Sequence, residues 1–210
     1  MQRRFAIILG GGRSARMGRD KRALVLGGRS LLALAVDACA ARNRIVVVTP
    51  DLPTDVDPNR VVRVLEDPPF GGPVAGIAAG VAALPPAQPQ DEVLLLACDL
   101  PRVADIVAVL DGLPLVEPVA ATTLAPPVEP AGAEARPDGV CLLDAEDYPQ
   151  YLAARYRRAA LESRLAAVGD PRAQSVRRLM KGLDLRRVPA SGITADVDTP
   201  DDAAAAGIDT

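Results

Sequence analysis

Apolar residues fall in two alternating patterns along the chain. Residues 5–9 (Phe-Ala-Ile-Ile-Leu), 45–48 (Ile-Val-Val-Val), 61–65 (Val-Val-Arg-Val-Leu) and 93–97 (Val-Leu-Leu-Leu-Ala) are short runs with little polar alternation. Such runs predict strands covered on both faces. Between them Leu31, Leu34, Ala35 and Ala38 predict a helix over 30–42. Ile77, Val81 and Leu84 predict a second helix, opening after Gly71-Gly72-Pro73 and stopped by Pro85-Pro86. Residues 105–110 belong to a third, short helix. Strands alternating with helices in this order predict an α/β fold with a parallel sheet between helical layers.

Residues 114–139 break the rhythm with six prolines. A strand near 118–123 followed by a loose loop to about 138 is predicted there. Residues 139–143 and 150–155 predict two strands joined by a polar turn at 144–148. Helices over 157–168 and 174–182 and a last strand at 184–189 follow. Thr199-Pro200-Asp201-Asp202 carries an N-cap, a proline for the first helical position and an acid for a capping box. No repeat and no clear linker divides the 210 residues, so one domain is expected, with a first half to about residue 112 and a second from about 113.

Composition removes many chemistries. There is no histidine, which excludes an imidazole base, a Ser-His-Asp or Cys-His arrangement and a histidine zinc site. Aromatic residues are 2% and the net charge is −3, so neither a stacking platform for single-stranded nucleic acid nor a basic footprint for nucleic acid or acidic lipid is present. No run reaches the ~18 apolar residues of a membrane span. Cys39, Cys98 and Cys141 form no CxxC pair and read as reduced core thiols of a cytoplasmic protein.

Chemistry therefore rests on carboxylates, cations and backbone amides, and ligands of such sheets bind beyond the carboxyl ends of the strands. After the first strand comes a glycine-rich loop, Gly10-Gly11-Gly12, with Arg13, Arg16, Arg19 and Lys21 placing four cations in nine residues. Close amides and cations suit a polyphosphate. The loop lacks the Gly-Lys-Ser/Thr of a Walker A sequence and meets only a loose dinucleotide fingerprint. After the third strand, Glu66-Asp67-Pro68-Pro69-Phe70-Gly71-Gly72-Pro73 opens a helix, and Asp67 is placed to accept from a base edge or ribose. After the fourth strand Asp99 stands at the ligand edge, where a hard oxygen donor suits Mg2+ and an acid also suits a helix cap. Asp196 and Asp198 alternate by two before the last helix and share one side of an extended segment. They read equally as metal ligands and as surface acids.

Leu9-Gly10-Gly11-Gly12-Arg13-Ser14-x-Arg16-Met17-Gly18-x-Asp20-Lys21 resembles the signature of the small nucleotidyltransferases that include the molybdenum cofactor guanylyltransferases. Gly72-Pro73-Val74-Ala75-Gly76, Cys98-Asp99-Leu100-Pro101 and Asp198-Thr199-Pro200-Asp201 resemble its later motifs, in the same order. The resemblance implies a three-layer α/β/α Rossmann-like sheet with one antiparallel strand. It implies that Leu9, Gly10, Gly11, Gly12, Thr49, Asp67, Gly72, Pro73 and Gly76 hold the nucleotide. It further implies that Lys21 and Arg16 serve the phosphates and that Asp99 binds Mg2+ with Asp196 and Asp198. Gly11 and the Gly-Pro-Val-Ala-Gly run resemble GTP-using members. Gly10 stands where alanine is usual and Thr49 where asparagine is frequent. Asp196 and Asp198 resemble the acidic pair of cytidylyltransferases and phospholactate guanylyltransferases.

The activity implied is Mg2+-dependent transfer of GMP from GTP to a phosphorylated acceptor of the molybdopterin type, with transient contact with molybdoenzyme maturation proteins. A sibling enzyme using CTP or another phosphorylated acceptor is the alternative. A non-catalytic nucleotide-binding module and a nicotinamide-binding Rossmann protein are further readings. Arg157, Arg158, Arg177, Arg178 and Lys181 read as solvated helix faces, or as partners of an acceptor phosphate.

Overall fold

The computed structural model describes residues 2–10, 24–115, 136–190, 192–197 and 199–209. Strand β1 is Arg4–Leu9, and two short strands, β2 (Val25–Leu26) and β3 (Arg29–Ser30), precede helix α1 (Leu31–Ala38). Then come β4 (Arg44–Val48), β5 (Val62–Val64), α2 (Pro73–Ala82), β6 (Glu92–Ala97) and α3 (Val103–Gly112). The second half holds β7 (Gly139–Leu143), β8 (Pro149–Arg157), α4 (Arg158–Val168), α5 (Val176–Met180), β9 (Leu185–Pro189), α6 (Pro200–Ala205) and β10 (Ile208–Asp209).

Seven strands form one sheet in the order β5-β4-β1-β6-β8-β7-β9. All neighbours are parallel except where β8 runs against β6 and β7. This is the mostly parallel α/β/α Rossmann-like sheet that was expected, with β8 its antiparallel strand. The chain starts centrally at β1, steps outward to β4 and β5, then returns to β6 on the other side. The carboxyl ends of β1 and β6 thus flank the point where strand order reverses, and that point is a crevice.

Both faces of the sheet are covered, which is why its strands read as continuous apolar runs. Ala6, Ile8, Ile45, Val47, Leu94 and Leu96 face α1 and α3. Phe5, Ile7, Leu9, Val46, Val48 and Leu95 face α2, α4 and α5. Gly80 lets α2 come close to the sheet: a Cβ there would stand 2.6 Å from Ile7 Cγ2. A smaller sheet, β10-β2-β3, closes over α6 with Leu24, Leu31, Val197, Ala203 and Ile208 between them.

Several boundaries shift for local reasons. Helix α1 ends at Ala38, short of the expected residue 42. Arg4 N–H donates to Asn43 Oδ1 (2.8 Å) and Asn43 N–H to Arg4 O (2.8 Å), drawing the chain into β4. Its N-cap, Ser30, is itself gripped by Asp55, which accepts from the Ser30 N–H and hydroxyl at 2.8 Å each. Helix α5 is shorter than the expected 174–182, since Ser175 caps its start and Gly182 turns the chain at φ +92°. The strand expected near 118–123 lies outside the described residues.

The basic residues of the second half need one correction. Arg177, Arg178 and Lys181 are exposed, as a solvated face requires. Arg158 is neither solvated nor available to an acceptor. Its guanidinium, 4% exposed, donates to Pro85 O (2.6 Å) and Glu162 Oε1 (2.8 Å) and lies 3.4 Å from Asp91 Oδ2. Arg3 grips the same carboxylate from Nε and Nη2 (2.9 and 2.6 Å), and both guanidinium groups lie over the Phe5 ring, 5.3 and 5.9 Å from its centre. Burial pushes the Asp91 carboxyl up, but the Arg3 and Gln88 hydrogen bonds and the two positive charges outweigh it and hold it below the ordinary value. Arg157 donates to Pro137 O and Leu115 O, so it ties loop carbonyls. These contacts gather at the amino ends of β1 and β6, away from the crevice.

Candidate active site

Four parallel strands end side by side. Cys98 N–H donates to Leu9 O (3.1 Å), Gly10 N–H to Val48 O (2.9 Å) and Thr49 N–H to Val64 O (2.9 Å). Leu9, Gly10, Thr49 and Asp99 are thereby brought to one edge. Gly10 is buried there, and a Cβ on it would lie 3.2 Å from Thr49 Cβ. The glycine that replaces the usual alanine therefore matches the β-branched Thr49 beside it. The Thr49 side chain is fully buried, and its hydroxyl donates to Asp51 O (2.8 Å), closing the turn after β4.

The loop after β5 reaches the same edge. Asp67 is exposed, and Glu66 Oε1 accepts from Phe70 N–H (3.0 Å). Gly72, at φ +96°, caps α2 without any side-chain hydrogen bond, and Pro73 follows at the first turn. The positive φ is what makes glycine necessary at that cap. Gly76 seats the helix on the strands, where a Cβ would meet Leu9 Cδ2 at 3.4 Å and Val48 Cγ1 at 3.5 Å. The start of α2 thus directs backbone N–H groups and the positive end of the helix dipole toward the crevice, an arrangement suited to phosphate.

The second half contributes two contacts that local sequence reading missed. Ala173 N–H donates to Gly71 O (2.8 Å), docking the turn before α5 onto the loop before α2. In that turn Arg172 clasps Asp170 from Nε and Nη2, and its side-chain and backbone hydrogen bonds hold the Asp170 carboxyl down at about 2. At the other side of the crevice Val197 N–H donates to Asp99 O (3.1 Å). This bond lays the acidic segment before α6 against the carboxyl end of β6. The expected capping box fixes that segment: Thr199 and Asp202 satisfy each other's backbone N–H groups at 2.8 and 3.2 Å. A cavity of about 410 Å3 opens beside Asp196, lined among others by Leu26, Pro101, Arg102, Ile193 and Val197.

Of the expected site residues, Leu9, Gly10, Thr49, Asp67, Gly72, Pro73, Gly76, Asp99 and Asp196 are placed along this edge. Gly11, Gly12, Arg16, Lys21 and Asp198 lie outside the described residues. Among the described residues no group of three or more carboxylates and thiols is close enough to form a complete metal cage. Asp99 and Asp196 are nonetheless hard oxygen donors on segments joined by a hydrogen bond. That set fits a cation taking one or two protein carboxylates with substrate phosphates as its other ligands. Cys39, Cys98 and Cys141 are reduced and buried. Burial pushes the Cys39 and Cys141 thiols up to about 12, so they are core groups and not nucleophiles.

The chain is similar to known proteins in both sequence and fold. The chain is 42% identical over 80 residues to a molybdenum cofactor guanylyltransferase of Rhizobium meliloti (strain 1021), a match spanning 36% of each chain. The matched region is thus well under half the length of that relative. The fold is shared with the molybdopterin-guanine dinucleotide biosynthesis protein A of Archaeoglobus fulgidus (TM-score 0.63, 19% identity, 97% of this chain and 96% of that one). It is shared also with the 2-C-methyl-D-erythritol 4-phosphate cytidylyltransferase of Francisella tularensis (TM-score 0.66, 12% identity, 97% and 98%). Residues 6–188 match the MobA-like NTP transferase domain, and the chain belongs to that family.

Proposed function

We propose that the chain is a nucleotidyltransferase that moves GMP from GTP to the phosphate of a molybdopterin-type acceptor and releases pyrophosphate. The observation that supports this reading is the Val197 N–H to Asp99 O bond, which lays the backbone of the acidic segment before α6 against the carboxyl end of β6. It joins a candidate cation site to a crevice whose other wall is the start of α2.

In the reaction an acceptor phosphate oxygen attacks the α-phosphorus of GTP. The bond between the α-phosphorus and the bridging oxygen breaks, and pyrophosphate leaves with that electron pair. A phosphate monoester loses its second proton at about pH 6. The nucleophile is therefore ionised at neutral pH, and a chain without histidine needs no base. What remains is positioning two anions and neutralising charge on the leaving group. The backbone N–H groups of Gly72 and Val74 at the start of α2 and the loop from Gly10 through Gly12 would hold the phosphates, with Lys21 and Arg16 as the cations. Asp67 would accept from the nucleoside, and Thr49 would shape the floor of its subsite. Asp99, with Asp196 and Asp198, would hold Mg2+, which supplies charge neutralisation and alignment of the phosphates when bound. The first half would serve the nucleotide and the second the acceptor, the two meeting at the Ala173–Gly71 and Val197–Asp99 hydrogen bonds.

A second reading is a sibling that uses CTP or another phosphorylated acceptor, favoured by the acid at 196. A thermal-shift panel with GTP, CTP, ATP and NAD, each with Mg2+ or EDTA, separates the two. A ligand at 100 times its Kd stabilises by about 2.7 kcal/mol. A shift with GTP that requires Mg2+ is expected. A shift with CTP alone supports the sibling, and a shift with NAD that ignores EDTA overturns both.

A further inference from the structure

The cavity beside Asp196 takes no part in the nucleotide contacts assigned above. It holds about 410 Å3, inside the range of about 300–1,000 Å3 typical of small-molecule sites. Segments far apart in the chain build it: Leu26 of β2, the turn before α3, residues 192–197 and the end of α6. Its wall is continuous with the candidate active site. Val197 lines it and donates its N–H to Asp99 O at 3.1 Å.

The cavity and the start of α2 lie on opposite faces of the sheet. Helix α2 packs on the face formed by Ile7, Val46 and Leu95. Pro101 and Arg102 of the cavity stand directly before α3, and Ile193 packs against the apolar cluster on the α3 face. Asp99, at the end of β6, comes between the two. In-line displacement places nucleophile and leaving group on opposite sides of the phosphorus. With the nucleotide on the α2 side, the acceptor enters from the α3 side, where this cavity opens.

The lining says what kind of acceptor fits. Leu26, Ile193, Val197 and Ala205 give apolar walls. Asp196 adds a carboxylate, and Arg102 a guanidinium held by Asp105 Oδ2 (2.8 Å) and Gly192 O (3.1 Å). An ionised carboxylate accepts hydrogen bonds and a guanidinium only donates them. Apolar walls suit the faces of a flat ring, and the two charged groups suit a ring edge that carries amino and oxo groups. A polyol phosphate would set hydroxyls against the apolar walls without partners, at a cost in free energy.

We propose that this cavity receives the ring of the phosphorylated acceptor and selects a flat heterocycle with amino and oxo groups, of the pterin kind, over a polyol. This rests on the nucleotidyl-transfer reading above. Ala205 ends α6 and is exposed, so a larger side chain there fills the cavity without crowding the core. Ala204 is exposed on the same helix and is not part of the lining, which makes it the control. The full chain and its Ala205→Leu, Ala205→Phe and Ala204→Phe variants are titrated with a pterin monophosphate, followed by its own fluorescence, with glycerol 3-phosphate as competitor. GTP affinity is read by calorimetry. Ala205→Phe should weaken pterin binding at least about tenfold and Ala205→Leu by less, with melting temperature and GTP affinity unchanged. Ala204→Phe should match the parent, and glycerol 3-phosphate should not displace the pterin. Parental pterin affinity in Ala205→Phe overturns the proposal, and so does an equal loss in Ala204→Phe or a parallel loss of GTP affinity. Displacement by glycerol 3-phosphate overturns the selection of a flat ring. A parent chain that binds no nucleoside triphosphate overturns the underlying reading instead.

Discussion

Replacing Gly80 by alanine tests how α2 is held against the sheet, and so how its first turn is aimed at the crevice. In an ordinary helix the change is favourable by about 0.8–1.0 kcal/mol. Here the new Cβ would stand 2.6 Å from Ile7 Cγ2, 3.2 Å from Cδ1 and 3.3 Å from Cγ1. Carbon atoms rest at about 3.5–4.0 Å, so the nearest contact is short by about 1 Å. Ile7 cannot turn aside, because it is fully buried on a strand paired on both sides, with Val46 and Leu95 as register partners. Overpacking of this kind costs about 1–3 kcal/mol. The net expectation is a loss of about 1 kcal/mol, with α2 displaced and nucleotide affinity reduced. Gly112 is the control: it ends α3, a Cβ there meets nothing within 4 Å, and Gly112→Ala should stabilise by about 0.4–1 kcal/mol. Urea unfolding of both variants reads the two signs. A Gly80→Ala protein as stable as its parent would refute the close approach of α2 to β1.

Other expectations concern the charged and capped parts of the fold. Arg158→Met leaves Asp91 with one guanidinium and Pro85 O without this donor, and should destabilise by about 1–3 kcal/mol in urea unfolding; an unchanged stability would mean Arg3 alone suffices. The Asp91 carboxyl is held below its unfolded value of about 3.9, so its contribution is complete above that pH and is lost as pH falls through the lower folded value. Acid titration of stability should therefore show a shallower fall below pH 4 for Asp91→Asn than for the parent. Thr199→Ala removes one side of the capping box and should cost about 1 kcal/mol, read by thermal melting. Cys39 and Cys141 should resist a thiol reagent at pH 8 in the native state and react only on unfolding.

The central strands were legible because burial on both faces removes polar alternation, as in Phe5–Leu9 and Val93–Ala97. The strands β2, β3 and β10 were not, since two-residue segments carry no period and Leu26 finds its partner Ile208 far along the chain. Arg158 looked like a helix surface residue because its carboxylate partner, Asp91, belongs to a distant turn. For the candidate site, glycines and acids placed just after strands could be picked out in the sequence, and the fold brings Gly10, Thr49 and Asp99 to neighbouring carboxyl ends of the strands. The hydrogen bonds from Val197 to Asp99 and from Ala173 to Gly71 join segments about a hundred residues apart, and no local pattern encodes them.

The central claim is nucleotidyl transfer organised around Asp99. The direct measurement is release of pyrophosphate from GTP in the presence of molybdopterin and Mg2+, with formation of the guanylylated acceptor followed in the same reaction. The parent chain should form both products in equal amounts, and Asp99→Ala, folded to the same melting temperature, should lose at least about a hundredfold in rate, the scale of an electrostatic group acting at a phosphoryl centre. Product formation at the parent's rate by Asp99→Ala, or no pyrophosphate from any nucleoside triphosphate with the parent, would contradict the account.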